Sequence, residues 1–492
     1  MLRSCRTCVA LAAGLAGASA MVLEIAGAHA LAPGFGLGLN AWAAMITVAL
    51  GGLSLGYALG GLAADRWPAG LGSTILPSLL ASAGLLFAVD ALAWGRVVSG
   101  LAEVGPVAGA LAAAAVLFLV PFILLGAVLP CAVKIWTHSV EEVGRRSGLV
   151  SAISAAGSLA GAGITGFVLL PALPLETLLS LFAAALLATG GALFLLARGS
   201  KAAGICALAL GCLALFVPSR PREPGLLYTG SSLFGPVEVI SRAGARFLVV
   251  AGAIQGAVIE ERNESLFPYV QVLGELLRRE YPQADRKVLL LGLGAGLLPR
   301  ILEPGSCETV EIDPAVVRVA ERFFRFDRSR YPVRLSDGRA FLASSRQQYD
   351  AIVFDAYGGG GHPYHLLTRE CFQAARRRLR PGGMLVMNFL GYVEGAEARF
   401  VRAVEATLRG AFEHVEVFSS EAGRGYANVI FVARQAPARV GWPGGPYQPR
   451  PSFLDGGPRE TITDSWNPVG TWGTAVERRW REESRKMLAG SH

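Results

Sequence analysis

The run KVLLLGLGAGLLPRILEPGSCETVEIDP, from Lys287 to Pro314, decides the fold of the C-terminal half of this chain. Lys287–Gly292 is a short, unbroken apolar stretch, which suits a parallel strand buried on both faces. It leads into Gly292-Leu293-Gly294-Ala295-Gly296 and a helix beginning near Leu297. About twenty residues past the first glycine, Thr309–Ile312 reads as a second strand, ending in Glu311-Ile312-Asp313-Pro314. Together these make a βαβ unit. The glycines permit a tight turn and let the backbone come close to a ligand. An acidic residue at the end of the second strand can accept hydrogen bonds from both hydroxyls of a ribose. A G-x-G-x-G by itself is weak evidence. Here the strand, the helix and the acidic residue accompany it, so the segment predicts a nucleoside site. No Walker lysine follows the glycines, which argues against a phosphate cradle for ATP.

Further strands extend the pattern on both sides. Val333–Leu335 is followed by Ser336-Asp337-Gly338-Arg339-Ala340-Phe341, and Tyr349–Asp355 ends in a carboxylate. A glycine-rich loop, Ala356–His362, then gives way to Pro363–Glu370, which opens a helix, and Leu379–Asn388 reads as a turn and a fifth strand. Upstream, Val237–Ser241 and Arg246–Ala251 flank Ala243-Gly244 as a hairpin, and a helix is expected over Pro268–Glu280. Open α/β sheets bind ligands at the carboxyl ends of their strands, so Glu311, Asp337 and Asp355 are expected to converge.

The N-terminal half is of another kind. Over residues 1–217 the chain is mostly Ala, Leu, Gly and Val, with few charges. A bilayer core takes about 20 apolar residues per helix. Seven stretches qualify, at 8–32, 40–64, 74–95, 106–132, 148–170, 176–197 and 202–217, the last one short. The first outruns a signal peptide and lacks a cleavage site, so it reads as a retained helix. Small residues recur at Gly51, Gly52, Gly56, Gly60 and Gly61, and at Gly157, Gly161 and Gly163, the pattern of closely packed helices. Glu24, His29 and Asp90 stand in apolar surroundings, where ionisable groups mark a pathway or a mutual partner. Loops with Arg3, Arg6, Arg66, Lys134, Arg145, Arg146, Arg198 and Lys201 alternate with one carrying only Arg96, which favours an inside N-terminus. The expected location is the cell (inner) membrane, crossed several times, with the lipid bilayer as a partner.

Composition agrees with this division. Of the 492 residues 52% are apolar and 17% charged, against about 25% charged in a typical soluble domain. The net charge of +8 fits basic residues flanking membrane helices. No basic stripe interleaved with aromatics is present, so nucleic acid is not an expected partner. The seven cysteines are odd in number, and Cys5 and Cys8 form a C-x-x-C without a second pair, so they read as small apolar filler and no metal site is expected. The domain organisation expected is a helical membrane domain over 1–217, a Pro-rich linker over 218–232 (Pro218, Pro221, Pro224), a nucleoside-binding domain over 233–435 and a tail over 436–492.

The order G-x-G-x-G, V-E-I-D-P, D-G-R-A-F and Y-D-A-I-V-F-D resembles the class I S-adenosylmethionine-dependent fold, and more closely the spermidine synthase family. Ala253-Ile254-Gln255 resembles that family's G-x-I-Q hairpin, and Phe267-Pro268-Tyr269 its F-x-Y helix start. The run P-x-H-L-L-T-x-E (Pro363–Glu370) and the run T-D-x-x-x-P-V (Thr463–Val469), behind an apolar multi-span half, resemble the membrane-fused spermidine synthase-like proteins. The fold implied is a multi-span α-helical membrane domain followed by an α/β Rossmann-like, class I methyltransferase-type domain with a small N-terminal β-hairpin region. The resemblance implies that Glu311 binds ribose, Asp337 with Gly338 binds adenine, and Gly292, Gly294 and Gly296 shape the loop around a sulfonium side chain. Asp355 is the implied base or cation-orienting group, with a helix N-cap as its structural alternative. His365 is either a second base or a satisfied histidine at a helix start. Gln255 and Tyr269 line the acceptor pocket or pack the core.

Two positions depart from the polyamine-forming pattern. Ala295 stands where that family has an acidic residue in the glycine loop, and Asp355-Ala356-Tyr357-Gly358 replaces D-S-S-D, without its second Asp. Three functions therefore stay open. The first is a membrane-anchored transferase moving an aminopropyl group from decarboxylated S-adenosylmethionine to a small-molecule amine. The second is an S-adenosylmethionine-dependent methyltransferase. The third is a non-catalytic nucleoside-binding transporter or sensor. The donor would be a co-substrate rather than a permanently bound cofactor, and a homodimer stays open.

Overall fold

The computed structural model describes residues 6–137, 139–197, 199–216, 225–232, 234–282, 286–358, 361–420, 425–438, 441–457 and 459–490. Arg3, Cys5, Arg198, Gly359, Gly360 and the prolines at 218, 221 and 224 lie outside them. The chain forms two compact units, Met1–Pro224 with Gly230–Pro236, and Gly225–Thr229 with Val237–His492.

The first unit is helical. Its elements are α1 (Arg6–Phe35), α2 (Leu39–Arg66), α3 (Leu76–Leu101), α4 (Ala108–Trp136), α5 (Val143–Ile164), a single turn α6 (Leu170–Ala172), α7 (Leu175–Leu196) and α8 (Lys201–Ala214). Among the described residues, six stretches are long and apolar enough to cross a membrane: Thr7–Phe35, Leu39–Arg66, Pro68–Leu101, Ala108–Trp136, Val140–Ala172 and Leu175–Leu196. The seventh expected span is the 14-residue α8. At about 1.5 Å per residue it falls short of a hydrocarbon core about 30 Å thick.

Small residues bring these helices together. A Cβ at Gly56 would lie 2.3 Å from the Ile123 carbonyl oxygen, and one at Gly60 would lie 2.6 Å from Ala127 Cα, so α2 and α4 touch backbone to backbone. Gly157 and Gly161 on α5 meet Gly14 and Ala18 of α1 in the same way. Gly51, Gly61 and Gly163 have open space around them, so only part of the glycine pattern is packing. Asp90 is buried, His29 Nδ1 bonds the Ile25 carbonyl at 3.0 Å, and Asp65 pairs with Lys134 at 2.7 Å on the exposed surface. Cys8 is disulfide-bonded, which corrects its reading as apolar filler.

In the second unit, β1 (Leu226–Ser232), β2 (Gly235–Arg242), β3 (Ala245–Val250), β4 (Ala253–Ile259) and β5 (Glu264–Ser265) form a five-stranded sheet in sequence order. Its β2–β3 turn has positive φ at both Ala243 and Gly244, the backbone of a tight hairpin turn that follows strand twist. Helix α9 (Pro268–Glu280) follows as expected. Next come β6 (Val288–Leu291), α10 (Leu297–Ile301), β7 (Cys307–Glu311), α11 (Pro314–Phe323), β8 (Val333–Leu335), α12 (Gly338–Ser344), β9 (Tyr349–Phe354), α13 (Arg369–Arg377), β10 (Leu379–Tyr392), α14 (Arg399–Arg409), β11 (His414–Ser420), β12 (Tyr426–Arg434) and β13 (Tyr447–Arg450). The short α15 (Val469–Trp472) and α16 (Thr474–Ala489) end the chain.

These eight strands run β13-β11-β12-β10-β9-β6-β7-β8. Strands β8, β7, β6, β9 and β10 are parallel, and β12, β11 and β13 are added antiparallel. The central parallel strands β6, β9 and β10 are apolar and buried: Leu289, Leu291, Ile352, Phe354, Leu385 and Met387 belong to one core cluster. Burying each such side chain contributes about 1.5–3 kcal/mol. From β6 the chain steps outward through β7 and β8, then returns to β9 on the other side of β6. The carboxyl ends of β6 and β9 therefore flank the point where the strand order reverses, which is where such sheets bind ligands.

The helix contacts set a direct test. Gly56→Val places carbon into the α2–α4 backbone contact and should destabilise the protein by about 1–3 kcal/mol, whereas Gly61→Val faces open space and should be silent. Thermal unfolding of the two variants in detergent reads the difference, and equal behaviour would contradict the packing described.

Candidate functional site

The first wall of the site is the glycine loop. Gly292 ends β6 with φ +98°, and a Cβ there would lie 2.2 Å from the Asp355 carbonyl oxygen. Both its backbone angle and the adjacent β9 therefore demand glycine. Gly294 has φ +54°, and its added Cβ would lie 2.9 Å from the Gln255 carbonyl oxygen, so β4 closes over the loop. Gly296 caps α10 against the Phe326 ring. Ala295 sits against Gly256 and is buried.

Glu311 ends β7 and is 8% exposed. Its Oε2 accepts the Leu293 N–H at 2.9 Å and its Oε1 the Asp313 N–H at 2.8 Å, which ties the second strand to the glycine loop. A carboxylate has about four lone-pair sites, so each oxygen keeps capacity for a further donor. Burial pushes this carboxyl up to about 7, against the pull of the backbone N–H groups. The stretch from Val310 to Asp313 thus places an acid of adjustable charge at the sheet edge.

Asp337 follows β8 and caps α12, its Oδ1 accepting the Ala340 N–H at 2.8 Å. Its Oδ2 meets His365 Nε2 at 2.7 Å. Burial works to raise this carboxyl, but the Ala340 N–H and His365 outweigh it and hold it below the usual range. Gly338 stands at the start of α12 over the Leu291 side chain. His365 thus lies in a single turn, Tyr364–Leu366, and is satisfied by Asp337 rather than by Asp355.

Asp355 follows β9 and begins no helix, so it is not an N-cap. Its Oδ2 accepts the Tyr269 hydroxyl at 3.1 Å and its Oδ1 the Asn388 amide at 2.8 Å. Burial raises its pKa, and the Asn388 and Tyr269 hydrogen bonds oppose that rise. Asn388 in turn accepts from Asn428 Nδ2 at 2.8 Å. Tyr357 donates to the Asn388 carbonyl at 3.0 Å, and its ring stands edge-on to Trp480 with centroids 4.9 Å apart. Of the two residues read as acceptor-pocket candidates, Tyr269 touches the carboxylate directly, and Gln255 lies beside the glycine loop with its Nε2 buried and unbonded.

Two sequence runs distant from each other meet at this edge. Arg339, next to Gly338, donates through Nη1 to Asp464 Oδ1 at 2.7 Å and through Nη2 to the other oxygen, while Nη1 also reaches the His365 carbonyl at 3.2 Å. The Asp464 N–H donates to Glu370 at 3.1 Å, and Asn467 Nδ2 donates to the Tyr364 carbonyl at 2.9 Å. Asp464, within the run Thr463–Val469, therefore buttresses the loop that carries Asp337 and His365. Reading the sequence missed Asn388 as a polar partner of Asp355 and Asn428 as the partner of Asn388. The signal for Asn388 was present, as a polar residue closing the apolar run LVMN at a strand's carboxyl end.

The carboxylates of Glu311, Asp337 and Asp355 thus stand at one edge of the parallel sheet, with the glycine loop and Tyr269 beside them. Chemically this arrangement offers acceptors for hydroxyl and amino donors, and a desolvated carboxylate for a cation or a proton.

Residues 267–421 match the spermine/spermidine synthase domain. A polyamine aminopropyltransferase of Vibrio vulnificus is 38% identical over 131 residues, covering 25% of this chain and 43% of that protein. A putrescine N-methyltransferase 2 of Nicotiana attenuata is 34% identical over 171 residues, covering 32% of this chain and 44% of that protein. The crystal structure of a probable spermidine synthase from Corynebacterium glutamicum superposes with a TM-score of 0.41 at 19% identity, covering 50% of this chain and 97% of that one. The chain spans less than half the length of each of the two curated relatives. Over residues 267–421, the stretch that brings Tyr269, Glu311, Asp337, Asp355 and Asn388 together, the chain is spermidine synthase-like, as its match to the spermine/spermidine synthase domain shows.

Proposed function

We propose that this protein is a membrane-anchored transferase that moves an aminopropyl group from decarboxylated S-adenosylmethionine to a small amine. The observation that carries this reading is the Asp355 carboxylate, held by Tyr269 and Asn388 beside the glycine loop. Glu311 takes the ribose hydroxyls, Asp337 with Gly338 the adenine, and Gly292, Gly294 and Gly296 shape the path of the sulfonium side chain. His365 acts through Asp337, as a positioning residue. Tyr269 and Gln255 border the acceptor.

The amine nitrogen attacks the carbon bonded to the sulfonium. A C–N bond forms, the C–S bond breaks with its electron pair going to sulfur, and 5′-methylthioadenosine leaves. The proton shed by the amine passes to Asp355 and from there to solvent. No covalent intermediate is required, so alignment of the two substrates supplies most of the acceleration. Asp355 is suited to the proton because burial raises its basicity.

A second reading, methyl transfer from S-adenosylmethionine, is favoured by Ala295, which puts no acidic group against a donor that keeps its carboxylate. The pocket and the base are the same, and only the carbon attacked differs. As to location, six apolar crossings and an inside N-terminus return the chain to the cytosolic side. That is the compartment in which both donors are made.

Three outcomes test the assignments. Asp355→Asn should lower turnover at least about 100-fold and leave binding of 5′-methylthioadenosine unchanged by calorimetry; unaltered turnover would remove Asp355 from the chemistry. Tyr269→Phe deletes a donor that holds the Asp355 carboxyl down. The folded pKa then rises further, and the acid limb of the kcat/KM profile should move to higher pH. Glu311, poised at about 7, accepts ribose hydroxyls best when ionised. Affinity for 5′-methylthioadenosine should therefore rise from about pH 6 to about pH 8. In Glu311→Gln it should be flat and weaker by about 1.5–3 kcal/mol.

A further inference from the structure

We propose that the pocket beside Asp355 holds a carboxylate borne by one of the two substrates, and that Arg481 and Gln255 bind it. The proposal rests on the reading that this pocket takes an adenosyl sulfonium donor and an amine.

The argument begins with the C-terminal helix. Along α16 the residues Val476, Trp480, Arg481 and Ser484 are buried, at the i, i+4, i+5, i+8 spacing of one helical face. That face is anchored at both ends of the site. Ser484 Oγ accepts the Ile254 N–H at 3.0 Å, one residue before Gln255. Trp480 packs on Tyr357, two residues after Asp355. A Cβ at Gly361 would collide with Glu477 Oε1 at 2.1 Å, so the helix also presses on the loop that follows Asp355. Arg481 lies between these anchors and is 3% exposed.

Among the described residues its guanidinium has one ionic partner, Glu477, at 3.5 Å. Among the described residues its Nε and Nη1 have no acceptor, and neither has Gln255 Nε2. Three buried nitrogens that carry only donors therefore border the seam between α16 and β4. Buried donors are rarely left unpaired, because they lose their water without replacement. What they lack is an oxygen acceptor.

A polyamine brings only N–H donors and positive charge, which these nitrogens would repel. A carboxylate brings acceptor oxygens and the opposite charge, and guanidinium is the side chain best matched to it. The two departures from the polyamine-forming pattern point the same way, since Ala295 and Gly358 stand where that pattern has acidic residues. Asp355 remains for the ammonium or amine of the same ligand. The carboxylate has two sources, the methionyl end of S-adenosylmethionine or an acceptor that is an amino acid.

Calorimetry on the full chain in detergent separates them. The donor pair is S-adenosylmethionine against its decarboxylated form. The acceptor pair is ornithine against putrescine, measured with saturating 5′-methylthioadenosine. The carboxylate-bearing member of one pair should bind at least about tenfold more tightly, and the pair that shows this names the source. The preference should collapse in Gln255→Leu and in the double variant Arg481→Met/Glu477→Gln, which leaves no lone charge buried. Equal or tighter binding of both decarboxylated compounds would overturn the proposal, as would a preference that survives in both variants. If 5′-methylthioadenosine binds normally while no preference is seen, the carboxylate subsite alone is lost. If 5′-methylthioadenosine does not bind, the nucleoside pocket fails and the subsite falls with it.

Discussion

A carboxylate kept from water at the edge of a sheet must be held by hydrogen bonds, or it protonates and loses its use. Asp355 meets this constraint with one donor from each side. Tyr269 comes from the helix that follows the small sheet, and Asn388 comes from the neighbouring parallel strand. Much of the surrounding architecture serves to place those two donors. Strand β10 runs 14 residues and carries Asn388 past the end of β9, and Asn428 on β12 orients the Asn388 amide. The Gly292 backbone passes so close to the Asp355 carbonyl that no side chain fits between them. Asp355 and the glycine loop are thus parts of one junction.

The residues that follow β13 act on this junction from outside the sheet. Asp464 and Asn467 fasten the loop of Asp337 and His365, and α16 lies along β4 and the loop after Asp355. The Arg339–Asp464 pair is partly exposed, so it contributes at most about 1 kcal/mol to stability. Its value is geometric, because a bidentate pair fixes the orientation of both partners. The runs Pro363–Glu370 and Thr463–Val469 meet in that clasp.

The helical unit obeys a different rule. Without a hydrophobic driving force between helices in lipid, close backbone approach and dispersion supply the attraction. Gly56, Gly60, Gly157 and Gly161 are where that approach occurs, and Gly51, Gly61 and Gly163 are not. A stripe of glycines in an apolar helix therefore marks a contact only on the face that the partner helix selects.

The local sequence was enough to establish the division into an apolar and a globular half, the βαβ unit and the carboxylates of Glu311, Asp337 and Asp355. Strand, turn and strand-end acid are encoded by short-range patterns of hydrophobicity, glycine and charge, and such patterns survive without knowledge of neighbours. What only the tertiary structure decided were the partners of those groups. Nothing near Asp355 in the chain announces Tyr269, 86 residues before it. Nothing near His365 says that its partner is Asp337 and not Asp355. The last helix read as a tail, because the partners that its buried face meets, Ile254 and Tyr357, lie far from it in the chain. A hydrogen bond between distant residues depends on how strands are ordered in the sheet, and that order is settled by packing the whole domain at once.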